Sequence, residues 1–398
     1  MDGIGDRAIP ELEGKTPLEA ANSPNLDKLA KEGITGLYYS IKPGVIPGSD
    51  TAHLSIFGLN PYKHYHGRGP MEAMAVQDLV LSPGDIAFRA NVGTVDENMM
   101  IKDRRAGRIE STDEFCRALD GIVIDDVRVF MRPGTWYRAS LVLRGSGLSD
   151  KVSPSDPHVP DQKVMQVKPL DKSLEAKRTA DVLNKFTEIA YKKLKDLEIN
   201  KKREQEGKLP GNMILFRGPG RYVPVPTFKE RFGIKAACIA GGGLYRGIAR
   251  LAGMDIIDVE GATGRYDSDF KAKTKKAMEI TKDYDLVFIH MKATDSAGED
   301  GNFQLKKEMV EKMDEAFGEL LDFEGLIIVT GDHTTPCELK AHSYEPTPVL
   351  MRGHGIRVDE VDEFSEKACT KGGLHVLVGM DLMSIASSHM RVRKMFGA

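Results

Sequence analysis

The densest chemistry in the sequence lies at Ile327-Ile328-Val329-Thr330-Gly331-Asp332-His333, with His342 following nine residues later. An apolar run that reads as a buried strand ends there in an adjacent Asp and His. Carboxylate oxygen and imidazole nitrogen at one strand end suit a divalent ion such as Zn2+ or Mn2+. A second apolar run ends at His290 and opens onto Met291-Lys292-Ala293-Thr294-Asp295-Ser296-Ala297-Gly298-Glu299. Asp295 and Glu299 stand four apart, so one helical turn puts both carboxylates on one side. The third stretch is Gly48-Ser49-Asp50-Thr51-Ala52-His53, preceded by the Gly/Pro-rich residues 43–47. Such a turn delivers Ser49 to the start of a helix, where backbone N–H groups stabilise a phosphate carried on its hydroxyl. Metal coordination also lowers a hydroxyl pKa enough for attack at neutral pH. His53, one turn on, reads as a core histidine or as a support for a ligand. Singly, each stretch has an ordinary reading: a loop Asp-His pair, a solvated acidic turn, a helix-capping serine. Together they offer the ligands for two hard cations about 4 Å apart, which could activate a serine and hold both oxygens of an in-line displacement.

These residues must be brought together by elements far apart in the chain. Residues 235–240, 255–259, 286–290 and 326–330 read as strands, separated by helices near 268–282 and 306–321. That alternation predicts an α/β fold with a largely parallel sheet covered by helices on both faces, its site at the carboxyl ends of the strands. Ser23-Pro24-Asn25 begins a helix that Gly33 ends, and a short strand at 36–41 leads to the Ser49 turn. The middle of the chain differs. Short strands at 86–92, 127–130 and 137–143 are followed by one long charged helix over 174–197, with Leu183, Phe186, Ala190, Leu194 and Leu197 as its apolar stripe. Residues 199–211 are polar, end in Pro-Gly and read as a loop. The expected organisation is a discontinuous metal and phosphoserine domain, 1–72 with 223–398, carrying an inserted α+β domain at 73–222. Met1-Asp2-Gly3-Ile4-Gly5 reads as the turn after a strand, yet no strand precedes it. Asp2 would then sit unanchored on a frayed end, and the expectation is a sequence that begins late, without its first apolar strand.

Bulk properties narrow the class. The 398 residues are 41% hydrophobic and 29% charged, as in a globular protein of two or three domains. A net charge of -3 argues against a nucleic-acid partner. No apolar run approaches the roughly 18 residues of a membrane span. The four cysteines, Cys116, Cys238, Cys337 and Cys369, have no CxxC spacing and read as reduced thiols of a cytoplasmic protein.

With Asp2, Ser49, Asp295, Asp332-His333 and His342 in this order, the chain resembles the alkaline phosphatase superfamily. Within it, the chain is similar to the archaeal-type cofactor-independent phosphoglycerate mutases. The resemblance rests on Asp2-Gly3-Ile4-Gly5-Asp6-Arg7, Gly48-Ser49-Asp50-Thr51-Ala52-His53-Leu54, Gly67-Arg68-Gly69-Pro70, Arg89-Ala90-Asn91, Asp103-Arg104-Arg105-Ala106-Gly107-Arg108, Glu260-Gly261-Ala262-Thr263-Gly264 and Thr330-Gly331-Asp332-His333. It spans nearly the whole chain. It implies an alkaline-phosphatase-like body and two divalent metal ions, Mn2+ foremost, with Mg2+, Co2+ or Zn2+ as alternatives. It implies no 2,3-bisphosphoglycerate. One ion falls to Asp295, Glu299 and His342; the other falls to Asp2, Ser49, Asp332 and His333. Glu299 is the one departure, standing where the family usually has His, and it favours a harder metal than zinc. The implied reaction passes the phosphate of 3-phosphoglycerate to Ser49, lets glycerate turn over in a closed cleft, and returns the phosphate to the other hydroxyl. Arg68, Arg89, Arg104, Arg105, Arg108, Arg217 and Arg246 are candidates for holding phosphate and carboxylate. Asp103 is the candidate proton carrier between the glycerate hydroxyls. The implied partner is the small-molecule substrate, with assembly into a homo-oligomer left open.

Two other readings share these residues. A metal-dependent phosphohydrolase or another phosphomutase of the superfamily would use the same ligands, and a phosphohydrolase would release inorganic phosphate. A non-catalytic homologue with a degenerate site would bind fewer ions, and only Glu299 speaks for it.

Overall fold

In the computed structural model, which describes residues 1–76, 78–393 and 395, the apolar runs become strands and the periodic stretches helices. The strands in chain order are β1 (Ile34–Tyr39), β2 (Ile86–Val95), β3 (Ile101–Asp103), β4 (Val123–Ile124), β5 (Val127–Pro133), β6 (Arg138–Arg144), β7 (Met213–Arg221), β8 (Ala236–Ile239), β9 (Asp255–Ile256), β10 (Leu286–Ile289), β11 (Ile327–Thr330), β12 (Thr347–Arg352) and β13 (His375–Val378). Two compact units share them. The first comprises Met1–Tyr65 and Val225–Ala398, and the second His66–Pro224.

The first unit is α/β with two sheets. One is parallel throughout, in the order β10-β8-β9. The other is mixed, in the order β11-β12-β1-β13: β12 runs antiparallel to β11 and β1, and β13 parallel to β1. The sequence reading expected one largely parallel sheet and did not assign β12 or β13. The reason lies in the connection from β11. Residues 331–346 contain no helix to make a parallel crossover, so the chain turns back and β12 pairs antiparallel. Leu26, Leu29 and Ala30 of the helix Pro24–Lys31 pack with Met309, Val310 and Met313 of the helix Phe303–Phe317 and with Val329 and Leu350 of the mixed sheet. Each such Leu, Val or Met side chain contributes roughly 1.5–3 kcal/mol by leaving water.

Far from fraying, the amino terminus is woven into this core. The Met1 ammonium donates to the Thr330 carbonyl at 2.9 Å, and the Asp2 N–H to the Met291 carbonyl at 2.8 Å. Ile4 and Gly5 bridge to Thr334. Asp2 is therefore anchored by pairing within the described residues. Gly3 makes the close approach feasible: its φ is +60°, and a Cβ there would lie 2.7 Å from the Asp295 Cα.

The second unit is built on antiparallel strands in the order β3-β2-β6-β5-β4, with β7 on the other edge of β2. The long helix Leu174–Lys195, capped by Ser173 accepting from the Ala176 N–H, buries Leu183, Phe186, Ala190 and Leu194 in a core with Phe88 and Phe216. The expected loop after it begins instead as the helix Glu198–Gln205. Its composition, Glu-Ile-Asn-Lys-Lys-Arg-Glu-Gln, favours a helix, and the buried Asn200 side chain ties it to the Leu194 and Gly211 carbonyls. Among the described residues no helix is long and apolar enough to cross a membrane, and all four cysteines are buried and free.

Candidate active site

Five chain segments of the first unit meet where β10 and β11 end. The helix Ser49–Ile56 begins with Ser49 itself after Gly48, and it is buried almost all round. Asp2 arrives on the anchored terminus. Asp295 lies in the first turn of the helix Ala293–Asp300, directly after β10. Asp332 and His333 follow β11, and His342 stands further along the loop that leads to β12.

Two groups of potential metal donors result: Asp2, Asp332 and His333, and Asp295, His333 and His342, each with its donor atoms within 4.8 Å of one another. His333 Nε2 lies 3.2 Å from Ser49 Oγ, 3.3 Å from Asp2 Oδ1 and 3.2 Å from Asp332 Oδ2. Its other nitrogen, Nδ1, is 3.0 Å from Thr335 Oγ1, whose hydroxyl donates to Asp295 Oδ1 at 2.8 Å. Because that hydroxyl hydrogen is committed to Asp295, Nδ1 must carry the proton and donate. In the neutral imidazole Nε2 then presents a lone pair to Ser49, Asp2 and Asp332. His342 follows the same logic. Its Nδ1 is 2.9 Å from the Pro47 carbonyl, which can only accept, leaving Nε2 as a lone pair 3.6 Å from Asp295 Oδ1. A ring nitrogen oriented by a hydrogen bond at the other is the usual arrangement of a ligating histidine. The two rings stack, with centroids 3.6 Å apart.

The donor set fits a divalent ion on two further observations. Asp2 Oδ1 and Asp332 Oδ2 are buried without a hydrogen-bond partner, a costly condition unless a cation takes their charge. Burial would lower the His333 pKa, yet Asp332 and Asp2 carry it up to about 9, a measure of the negative charge gathered at this point.

Glu299, one turn beyond Asp295, belongs to neither group. Burial on its inner side and the Asp295 charge hold its carboxyl above the ordinary range. Arg246, on the helix Gly243–Leu251, is paired with Asp258 at 2.6 Å.

Sequence reasoning gave no role to several side chains that complete this centre. Lys292 reaches Asp295 Oδ2 at 2.6 Å and Asp2 Oδ2 at 3.4 Å. Tyr245 donates to Asp2 Oδ2 and stacks on His290, whose Nε2 is 3.1 Å from the same oxygen. Burial lowers the His290 pKa to about 3, keeping it neutral. For Asp2, burial alone would raise the carboxyl, but Lys292 and His290 hold it well below the usual range. His290 and Lys292 carried a signal, since both close an apolar run at a strand end. Tyr245 and Thr335 carried none.

In the second unit Arg104 and Arg217 share the carboxylate of Asp156, Arg68 bonds Glu72 at 3.0 Å, and Arg89 Nη1 is 3.8 Å from Glu72. Arg105 and Arg108 are exposed, Arg105 lying over the Tyr137 ring. Asp103 accepts from the Arg105 N–H at 2.6 Å.

Known proteins resemble the chain along its whole length. A protein of Methanocaldococcus jannaschii named 2,3-bisphosphoglycerate-independent phosphoglycerate mutase 1 is 48% identical, the match covering all of this chain and 98% of that one. One of the same enzyme name from Methanosphaera stadtmanae is 46% identical over the same shares. The chain belongs to the 2,3-bisphosphoglycerate-independent phosphoglycerate mutase family. The family's sequence model matches residues 30–200. Among solved structures, a Pyrococcus horikoshii protein superposes with a TM-score of 0.84 at 38% identity, covering all of this chain and 97% of that one. A cofactor-independent phosphoglycerate mutase from Thermoplasma acidophilum gives 0.72 at 35% identity, covering 97% and 96%.

Proposed function

We propose that the centre around Ser49 interconverts 3-phosphoglycerate and 2-phosphoglycerate through a phosphoserine, without 2,3-bisphosphoglycerate. The chain is an isomerase of the intramolecular phosphotransferase type, a glycolytic and gluconeogenic activity. The observation that carries this reading is Ser49 Oγ at a helix start, 3.2 Å from His333 Nε2 and beside the unpaired Asp2 and Asp332 oxygens.

In our reading Asp2, Ser49, Asp332 and His333 hold one divalent ion, and Asp295, His342 and Glu299 a second, with Mn2+ the favoured metal for this oxygen-rich set. Such ions supply a lowered hydroxyl pKa and neutralise phosphoryl oxygens. Ser49 Oγ attacks the phosphorus of 3-phosphoglycerate. The Oγ–P bond forms, the bond from phosphorus to the 3-oxygen breaks, and that oxygen takes up a proton as glycerate. The 2-hydroxyl then gives up its proton and attacks the phosphoserine, and Ser49 is released. Asp103 exchanges these protons. The backbone N–H groups at the start of the helix Ser49–Ile56 favour the phosphoserine charge. Lys292 adds a fixed cation beside Asp2 and Asp295.

The first unit is read as an alkaline-phosphatase-like metal and phosphoserine body, and the second as an inserted α+β substrate domain. There Arg68, Arg89, Arg104, Arg105, Arg108 and Arg217 meet the phosphate and carboxylate; Arg246 is the candidate in the first unit. We assign the enzyme to the cytoplasm. An enolase-coupled assay on 3-phosphoglycerate with Mn2+ and no 2,3-bisphosphoglycerate tests the function. Turnover abolished by chelator and restored by Mn2+ supports it, and steady phosphate release without 2-phosphoglycerate would replace it with a phosphohydrolase.

A further inference from the structure

On the second unit's sheet, Arg89 of β2 stands directly opposite Arg217 of β7. Two residues along β2, Asn91 stands opposite Arg138 of β6. Residues two apart on a strand share a face, so three guanidiniums crowd one face of the sheet. Like charges opposed across strands repel, and such an arrangement persists only if something holds the side chains in place. Asp156 meets that need for Arg217 and binds Arg104 beside it. Its carboxylate, fully buried, receives Arg104 Nε at 2.8 Å and Nη2 at 2.6 Å, Arg217 Nη1 at 3.3 Å, and the His158 backbone N–H at 2.9 Å. His158, held at φ +70°, places Nδ1 3.2 Å from Arg217 Nη1. Arg217 can only donate, so this Nδ1 accepts, which further fixes the guanidinium. Arg89 Nε is buried with no hydrogen-bond partner. Arg89 Nη1 lies 3.8 Å from Glu72, and its buried, unpaired Nε calls for an acceptor, which an anion would supply.

We propose that Asp156 is a positioning residue of the substrate-anion site, locking Arg104 and Arg217 as a pair whose remaining N–H groups bind an anionic end of phosphoglycerate. The inference rests on the reading of these arginines as substrate contacts. A bidentate guanidinium–carboxylate pair fixes orientation as well as position. Holding the fork in place beforehand removes the cost of ordering two long side chains on binding.

The test is Asp156→Asn in the full chain, which keeps shape and removes charge. KM for 3-phosphoglycerate should rise at least about tenfold while kcat falls less than about threefold, the signature of lost binding common to substrate and transition state. Asp85→Asn is the control. Asp85, also buried, holds Arg144 through a two-point pair in the same unit, at 2.9 and 2.7 Å. Its loss should lower Tm and leave KM unchanged. If the two variants behave alike, or if Asp156→Asn lowers only Tm and kcat, Asp156 is merely structural and the proposal is overturned. Should Asp156→Asn fail to fold, Arg104→Lys decides: a raised KM supports the locked pair, and an unchanged KM overturns it. Calorimetric titration of 3-phosphoglycerate into the same proteins separates this inference from the proposed reaction. A wild-type chain that binds 3-phosphoglycerate but does not turn it over removes the reaction alone, and binding by Asp156→Asn that equals wild type removes the inference alone.

Discussion

Replacing Thr335 with valine should weaken metal binding without disturbing the fold. Valine has nearly the shape of threonine, and Thr335 is fully buried, so packing is conserved. What is lost is a single hydroxyl that accepts from His333 Nδ1 at 3.0 Å and donates to Asp295 Oδ1 at 2.8 Å. That hydroxyl dictates which nitrogen of His333 faces Ser49, and it also orients Asp295, so it serves both donor groups. Loss of a hydrogen bond that orients a ligand typically weakens metal binding 10–100-fold, which is about 1.4–2.8 kcal/mol. Calorimetric titration of Mn2+ into chelator-stripped wild type and Thr335→Val measures it, with Tm recorded on the stripped proteins to confirm the fold. Mn2+ affinity within about twofold of wild type would refute the tautomer argument, because His333 would then be oriented by something other than Thr335.

Three further outcomes follow from the same geometry. Ser49→Ala should reduce turnover below about a thousandth of wild type, since removing a covalent nucleophile leaves only binding and electrostatics, and mass spectrometry after trapping with 3-phosphoglycerate should find the phosphorylated Ser49 peptide in the wild type alone. Glu299→His should shift retained metal from Mn2+ toward Zn2+ in elemental analysis; an unchanged metal profile would mean Glu299 is not a ligand. Glu366, which accepts from the Asp6 N–H and the Thr16 hydroxyl, is pushed up to about 7 by burial. An acid raised on folding binds more protons folded than unfolded between its two pKa values. Its ionisation therefore erodes stability as pH rises from about 4.5 toward 7, and Glu366→Gln should flatten that part of the Tm profile; an unaltered slope would show that Glu366 titrates normally.

Local pattern was enough to locate the strand ends with chemistry, because the strand period and the abrupt change to polar residues both lie within a few neighbours. Asp332-His333 after β11, Asp295 in the first turn after β10 and Ser49 opening a buried helix were all legible that way, as was the apolar stripe of the helix Leu174–Lys195. His342 stood out as a second histidine in the loop after β11, and family resemblance then assigned it and Asp2 to particular ions. What local pattern could not convey was which side chains meet in space, whether two residues or about 300 apart in the chain. The anchoring of Asp2 depends on Thr330 and Met291 carbonyls, and a reading along the chain saw only a loose end. The tautomer of His333 depends on Thr335 and Asp295, and the charge state of Asp2 on Lys292, His290 and Tyr245. Hydrogen bonds such as these leave no periodicity, since any Thr or Tyr at any position could make them. Tertiary structure alone also set β12 antiparallel and brought Arg89 opposite Arg217. Strand register and direction follow from how the chain closes on itself, which composition does not encode.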